Sequence, residues 1–467
     1  MRNPRPYPSI SRRRLLGTTA AGIAATSLGA CATSGKDVET EEVTLTDDPE
    51  NPFGVDPSAP LDVVIFDGGY GDEYAREHQA LYRQAFPDAR IEHLATQDIA
   101  PTQQPRFADS SPTDVLQNAG AQQLPMDSLV GDGELADLGP LLEAPSYDDP
   151  DVPVRDTLRD GTIAPGTYNG TFYALLYAYS IWGVWYDHNL FTQKGWTPPT
   201  TWEEMLDLCE DIKADGMAPW TYPGVHPQYL FDMFMMLAGR HSGVEAIKAI
   251  DNLEPDAWRH PSVEMAAEEM YKLWEAGYIL EGTPGLDHIQ SQTAHNEHQA
   301  AFIPNGSWLP NEQRAVAPEG FEYGVMGVPY LEGSVQPGLI SAGGNDPFVV
   351  PEKAANKAGA FEYLRIMLSE KGAQVFADVV SSPTTVRGVS VDSLAVQMTD
   401  ELVADPENIF QPQLQAWYSK MEEAVKPGLA DIMSGEMKPD EFIDEMQATA
   451  DEQLAEVEGT DQHFTHE

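Results

Sequence analysis

Five of the six positions in LDVVIF (Leu61–Phe66) are apolar, Asp62 being the exception; the stretch opens the folded body and reads as a strand covered on both faces. The turn DGGYGD follows. EYAREHQALYRQAF then repeats its apolar positions at helical spacing, and ARIEHL reads as a second strand, which makes a β-α-β unit. TDVLQNAG predicts another strand, and LVGDGELADLGPLLE a turn followed by a helix. The rhythm breaks at YNGTFYALLYAYSIWGVWYDHNLF (Tyr168–Phe191), where two extended segments run together into an acidic turn and a helix start. In TTWEEMLDLCEDIKADG, Thr201 stands as N-cap with Glu204 three residues on, a capping box. Residues 229–300 read mainly as helices. In HQAAFIPNGSWLPNEQ (His298–Gln313), AAFI predicts a short strand, and Pro304-Asn305-Gly306 the loop that ends it. EYGVMGVPY and NDPFVVP predict strands around a glycine-rich turn, SAGGN, and helices dominate from Lys353 onward. No internal repeat interrupts this α/β alternation.

Length and charge narrow the functional classes. A chain of 467 residues suits two or three domains, or one large two-lobed body. A hydrophobic content of 42 % supports a packed core and argues against global disorder. Past the N-terminus no apolar run reaches the roughly 20 residues that a membrane-spanning helix needs. The net charge is −48, from 75 acids against 27 bases. Such a field repels nucleic acid and anionic membrane surfaces and disfavours anionic ligands, leaving neutral or cationic ones. It also suits a soluble surface or a saline habitat, in which counterions screen it.

The N-terminus changes the picture further. SRRRLLGTTAAGIAATSLGAC carries twin arginines, a short apolar region and small residues before Cys31. It resembles a twin-arginine export signal ending in a lipobox, Leu28-Gly29-Ala30-Cys31. Residues 1–30 are thus expected to be a signal peptide and Cys31 the lipidated residue, holding the protein at the outer face of the cytoplasmic membrane. Residues 31–59, acidic and poor in apolar side chains, are expected to be a flexible tether. Cys209, the only other cysteine, has no partner for a disulfide and reads as a small buried hydrophobe.

Motifs for catalysis are missing. The sequence contains no phosphate loop, dinucleotide fingerprint or G-x-S-x-G elbow, and no cofactor is implied. His295 and His298 of HNEH stand three apart, which permits a metal on a helix but lacks a third ligand and the placed glutamate. Paired carboxylates for glycoside hydrolysis arise by chance among so many acids, and none sits in a recognisable strand-end motif. A lipid-anchored glycoside hydrolase therefore stays an alternative.

Aromatic placement is the stronger signal. Tyr70 lies in the turn after the first strand, Tyr179 and Trp182 in the segment at Tyr168–Phe191, and Trp220 and Tyr222 in APWTYPG. Trp308 follows Pro-Asn-Gly, and Trp417 stands near a late helix start. A sugar offers an apolar C–H face and many hydroxyls, so its site needs aromatic plates with amides and carboxylates beside them. Polar candidates near these loops are Asn118, Gln290, Gln292, Asn345 and Asp346. Each ring alone can equally cap core. Trp308, Trp220 and Tyr70 are the ones a loop position favours for the site.

Along residues 60–455 the chain resembles the sugar-binding lipoproteins of bacterial ABC importers, the family 1 extracellular solute-binding proteins. The resemblance is carried by TDVLQNAG, ADLGPLL, YNGTFYALLYAY, GVWYDHNLF, GWTPPTTWEEMLDLCEDIKADGMAPW, AAFIPNGSW and FEYLRIMLSEKGAQVFA. PLDVVIFDGGYGDEYA, AQQLPMDSLVG, AIDNLEPDAW and GLDHIQSQTA are similar to an actinobacterial branch that binds N-acetylglucosamine or diacetylchitobiose. The resemblance implies a monomeric, non-enzymatic receptor of periplasmic-binding-protein type II architecture that works with membrane permease subunits. It implies two α/β lobes, 60–175 plus 346–386 and 178–342 plus 388–460, around a ligand cleft. Tyr70 and Asn118 would face that cleft from one lobe. Tyr179, Trp182, Trp220, Tyr222, Trp308 and Trp417 would face it from the other, with Asn345 and Asp346 at the hinge.

Overall fold

The structure, a computed structural model, describes residues 43–389, 391–460 and 462–466. The expected signal peptide and Cys31 lie outside them. The strands are β1 (Leu61–Phe66), β2 (Ile91–Thr96), β3 (Val115–Gln117), β4 (Thr167–Tyr168), β5 (Thr171–Phe172), β6 (Leu175–Asp187), β7 (Ala218–Trp220), β8 (Ala300–Gly306), β9 (Tyr323–Met326), β10 (Ile340–Val349) and β11 (Ile409–Phe410). The main sheet runs β2-β1-β3-β10-β6-β8-β7, with β9 on β6 and β11 on β10. Helices cover the strands, and the C-terminal half is largely helical, as the periodicity predicts.

Strand register sets where the strand ends lie. β1, β2 and β3 are parallel. β10 runs antiparallel to β3 at Phe348↔Gln117 and to the first half of β6 from Phe348↔Leu175 to Ala342↔Ile181. β8 pairs antiparallel with the second half of β6, from Trp182↔Gly306 to Trp185↔Ile303. β3 therefore ends level with Leu175 and β8 ends level with Trp182, having approached from opposite directions. Of the named strands only β6 and β10 run between those levels, and Thr384 bridges to Ala178 beside them. The carboxyl ends of parallel strands face each other across a two-strand bridge, the position at which open α/β sheets bind ligands.

Packing forms two large buried clusters. One buried cluster draws only on residues 53–178 and 348–386, around Val63, Tyr177, Phe348 and Phe361. A larger cluster is built on the helices Phe231–Ser242, Pro261–Glu275, Ser419–Ser434 and Pro439–Val457, whose Phe234, Met270, Leu429 and Phe442 are inaccessible, and it also takes in Trp258 and, from the first strands and their helices, Val64, Ile99, Leu116 and Leu129.

Several local expectations hold. The Thr201/Glu204 capping box is formed, with Thr201 Oγ1 accepting from Glu204 N at 3.2 Å. Cys209 is buried and unpaired, and burial pushes its thiol up to about 12. Others are corrected. The strand at AAFI continues through Pro304 to Gly306. Past Phe302 β8 has β6 as its only strand neighbour, so the nitrogen of Pro304 can face the unpaired side. SAGGN is the middle of β10 rather than a turn, because its glycines answer to close contacts. A Cβ on Gly343 would lie 2.4 Å from Gln411 Oε1, and one on Gly344 2.6 Å from Leu176 Cβ. The end of the expected tether is packed: Phe53 and Val55 are buried, and Phe53 meets Phe361 edge-on at 5.4 Å. His298 lies beyond the helix that carries His295. Its Nε2 is 2.8 Å from Asp187 Oδ2, and His295 Nδ1 is 3.3 Å from the Ala300 carbonyl oxygen.

Candidate functional site

Residues paired directly across antiparallel strands share a face of the sheet. On one face of the bridge this places Leu176 with Pro347, Ala178 with Asn345, Ser180 with Gly343, and Trp182 with Gly306. That face is the floor of the gap between the strand ends, and its two ends differ.

At one end stand aromatic rings. Trp182, half-buried, meets Trp308 edge-on at 4.8 Å and Tyr229 at 5.4 Å, and Tyr229 is 6.1 Å from Trp308. Trp308 lies over Gly306, where a Cβ would come within 2.1 Å of the ring, and against Gly69, where a Cβ would come within 3.0 Å. Asn311 Nδ2 donates to Gly69 O at 2.5 Å. The loop after β1 and the loop after β8 thus close on each other, which needs glycine at both approaches. In the short helix after Trp308, Glu312 Oε2 accepts from Gln292 Nε2 at 2.6 Å, with His288 Nε2 3.7 Å from the other oxygen. Burial pushes the Glu312 carboxyl up to about 7. At mid-floor, Tyr70 Oη and Ser180 Oγ are 3.1 Å apart. Asp346, at φ 55°, accepts from Gln117 Nε2 at 3.1 Å, and burial pushes it up to about 7 as well.

At the other end a cavity of about 170 Å³ opens, lined by Gln123, Asp127, Tyr168, Asn345, Gln411 and Gln415 together with Leu176 and Pro347. No basic side chain lines it. Its carboxylates are Asp127 and Glu422, so it suits a neutral or cationic guest. Trp417 stacks on Tyr168 at 4.8 Å, and Ser419 Oγ donates to Asp127 Oδ2 at 3.1 Å, joining the two sides of the gap here too.

The expected site residues divide sharply. Trp182 and Trp308 meet, while Asn345 and Trp417 stand at the cavity or beside it. Trp220 belongs to β7 and is 1 % exposed against Phe302, and Tyr222 is equally buried, so neither ring presents a face. The loop argument fails for Trp220 because the backbone of Tyr278–Leu280 pairs with it and covers the strand. Tyr70 is buried against Phe376, and Tyr179 under the Arg159 guanidinium at 5.0 Å. Asn118 spends its amide on Leu124, accepting at 2.8 Å and donating at 2.9 Å. Gln290 is an exposed helix cap, closing a capping box with Asp287. Sequence reasoning missed Tyr229, Tyr168, Gln411 and Gln415. The signal available for the glutamines was their crowding just ahead of Trp417, in QPQLQAW.

Facing strand ends over a two-strand bridge, with rings and amides on its floor, define a binding protein of the two-lobed, periplasmic type. The chain belongs to the family described as bacterial extracellular solute-binding protein, which it matches over residues 59–374. It is 31 % identical over 418 residues to the diacetylchitobiose binding protein NgcE of Streptomyces coelicolor, covering 86 % of this chain and 87 % of that one. A multiple sugar-binding protein of Streptococcus mutans is 24 % identical over 48 % of this chain and 54 % of its own length. Among solved structures, a chitin oligosaccharide binding protein superposes with a TM-score of 0.70 at 20 % identity, over 85 % of this chain and all of that one. RafE in complex with raffinose gives 0.69 at 18 % identity, over 85 % and 99 %. Among the described residues no helix is long and apolar enough to cross a membrane.

Proposed function

We propose that this chain is the receptor of a carbohydrate ABC importer, and that it captures N-acetylglucosamine or diacetylchitobiose without altering it and passes it to permease subunits. The observation that carries the reading is the floor of the gap. Rings and an amide-lined cavity free of basic groups share one face of the two-strand bridge, and together they suit a neutral sugar. The 31 % identity to the diacetylchitobiose binding protein supports an amino sugar. Lobes of 60–175 plus 346–386 and of 178–342 plus 388–460 are supported by the buried cluster confined to 53–178 and 348–386. Sugar touching both lobes would favour the closed arrangement, which then docks on the permease. The protein acts as a monomer, exported by its twin-arginine signal. Lipid on Cys31 keeps it beside its permease, which raises its effective concentration there.

Calorimetric titration with N-acetylglucosamine, diacetylchitobiose and maltose tests this. Heat with an amino sugar, and recovery of the disaccharide intact after incubation, is the expected result. Binding of maltose alone would sink the amino-sugar reading and keep the sugar receptor; release of monosaccharide would make the protein a hydrolase. Palmitate labelling of the expressed chain, lost in Cys31→Ala, tests the anchor.

A further inference from the structure

The segment between β11 and the helix Ser419–Ser434 supplies one wall of the cavity beside Tyr168, through residues 411–413, 415 and 416. It supports itself poorly. Its regular structure is a helical turn of four residues, Leu414–Trp417, too short to be stable alone. Its support comes from residues 462–466. Asp251, fully buried, accepts from Gln413 N at 3.0 Å and from Leu414 N at 2.9 Å. His466 Nε2 lies 2.8 Å from the same carboxylate, and the His466 ring is 5.2 Å from that of Phe410. This tail is moored next to Asp251, since His466 N donates to Asn252 Oδ1 at 2.7 Å and His463 Nε2 lies 3.0 Å from Asn252 O. At the far end of the segment, Phe464 N donates to Tyr418 Oη at 2.9 Å. The tail thus grips the wall at both of its ends.

Rings carry this grip to the cavity. Phe464 packs on Trp417 at 5.0 Å, and Trp417 stacks on Tyr168 at 4.8 Å. Tyr168 lines the cavity of about 170 Å³. Trp417, with His463, Phe464 and Thr465, lines a second one of about 990 Å³, the rest of whose lining comes from residues 155–170 and Arg387. The stacked pair therefore stands as the partition between the two cavities. The tail also reaches the other side of the gap. A Cβ on Gly131, at the end of the helix Met126–Gly131 that bears Asp127, would lie 3.2 Å from Gln462 Nε2. We propose that residues 462–466 are a clasp of the binding site, which holds the 411–418 wall and the Trp417 partition in place and so slows the escape of bound sugar towards the wider cavity. Phe464 and His466 are positioning residues, acting through the wall rather than on the sugar. With the tail docked, the wall is already ordered when sugar arrives. Without it, the competent wall is populated only part of the time, and apparent affinity falls by that fraction. This assignment rests on the sugar-receptor reading above.

The test titrates the full chain, and a chain ending at Thr460, with diacetylchitobiose, N-acetylglucosamine and maltose, and follows dissociation by stopped-flow mixing. The shortened chain, checked by thermal melting in the absence of ligand, is expected to bind the preferred sugar about tenfold more weakly, mainly through faster dissociation. An excess of a synthetic peptide of residues 459–467 is expected to restore the affinity. In the full chain, Phe464→Ala is expected to weaken binding by about fivefold, whereas Phe464→Tyr, which keeps the ring on Trp417, stays within about twofold of wild type. A folded shortened chain, or a folded Phe464→Ala, that binds within about twofold of wild type overturns the clasp and leaves the sugar receptor standing. That holds even where its melting temperature falls, since a merely structural tail would give the same result. Phe464→Tyr as weak as Phe464→Ala overturns the role of the ring ladder. Failure of wild type to bind any of the three sugars overturns the receptor reading and the clasp with it. The two Phe464 variants decide the matter where the shortened chain does not fold.

Discussion

Trp220 and Trp308 stand at the ends of neighbouring parallel strands, each with a proline close by, and in the sequence they look alike. In the structure they do opposite things. β7 is flanked on one side by β8 and on the other by the backbone of Tyr278–Leu280, so Trp220 is an interior strand residue packed on Phe302. β8 runs on to Gly306, and no strand covers the chain beyond it. Trp308 therefore emerges at the floor of the gap, where it meets Trp182, Tyr229 and the backbone of Gly69. An aromatic after a strand becomes a binding plate only where the tertiary structure leaves the space beyond that strand uncovered.

The largest effect that would break this contrast is on stability. Trp220→Ala is expected to cost about 3–5 kcal/mol, as for other large-to-small core changes, read by denaturant unfolding. Trp308→Ala is expected to act mainly on binding, weakening sugar affinity by about 1–3 kcal/mol in a calorimetric titration. If Trp308→Ala left affinity within twofold and Trp220→Ala abolished it in a folded protein, the two assignments would have to be exchanged.

Glu312 sharpens the contrast, because it is a buried carboxyl in the segment of Trp308, whose carbonyl oxygen accepts from its backbone N–H. Its folded value of about 7 lies above its ordinary 4.5. The native state therefore binds more protons between those values, and stability falls as pH rises from about 4.5 to 7. Asp346 and Asp232, both pushed up to about 7 by burial, act in the same direction. Glu312→Gln is expected to raise the melting temperature at pH 8 relative to wild type and to leave it nearly unchanged at pH 4. A variant whose melting temperature keeps the wild-type pH slope would show that Glu312 does not contribute to it. The smallest effect belongs to Gln290. As a cap residue, its replacement by Ala should cost on the order of 0.5–1 kcal/mol of stability and leave sugar affinity untouched.

Local structure was legible where the physics is local. The Thr201/Glu204 capping box needs only residues three apart, and LDVVIF needs only its largely apolar run, so both follow from the chain. Family membership was legible too, because short motifs in a fixed order span most of the body. SAGGN misled, since a glycine pair that marks a turn by composition here serves two close approaches, one to Gln411 and one to Leu176. These partners lie far away in sequence. Gln290 and Asn118 carry the right chemistry for a sugar site, but Leu124 engages both ends of the Asn118 amide and the backbone N–H of Asp287 engages the Gln290 side-chain oxygen.

By itself, then, the sequence determined the alternation of strands and helices, the export signal as an expectation, the acidic surface that favours uncharged ligands, and the pool of rings and amides from which a site could be drawn. Only the tertiary structure decided which members of that pool meet. Side chains from residues 123–127, 168, 345 and 411–415 reach one cavity because β6 and β10 span the gap and hold both sides at one level. Proximity between segments so far apart depends on register and on what covers each strand end, and neither is written in any short stretch of the chain.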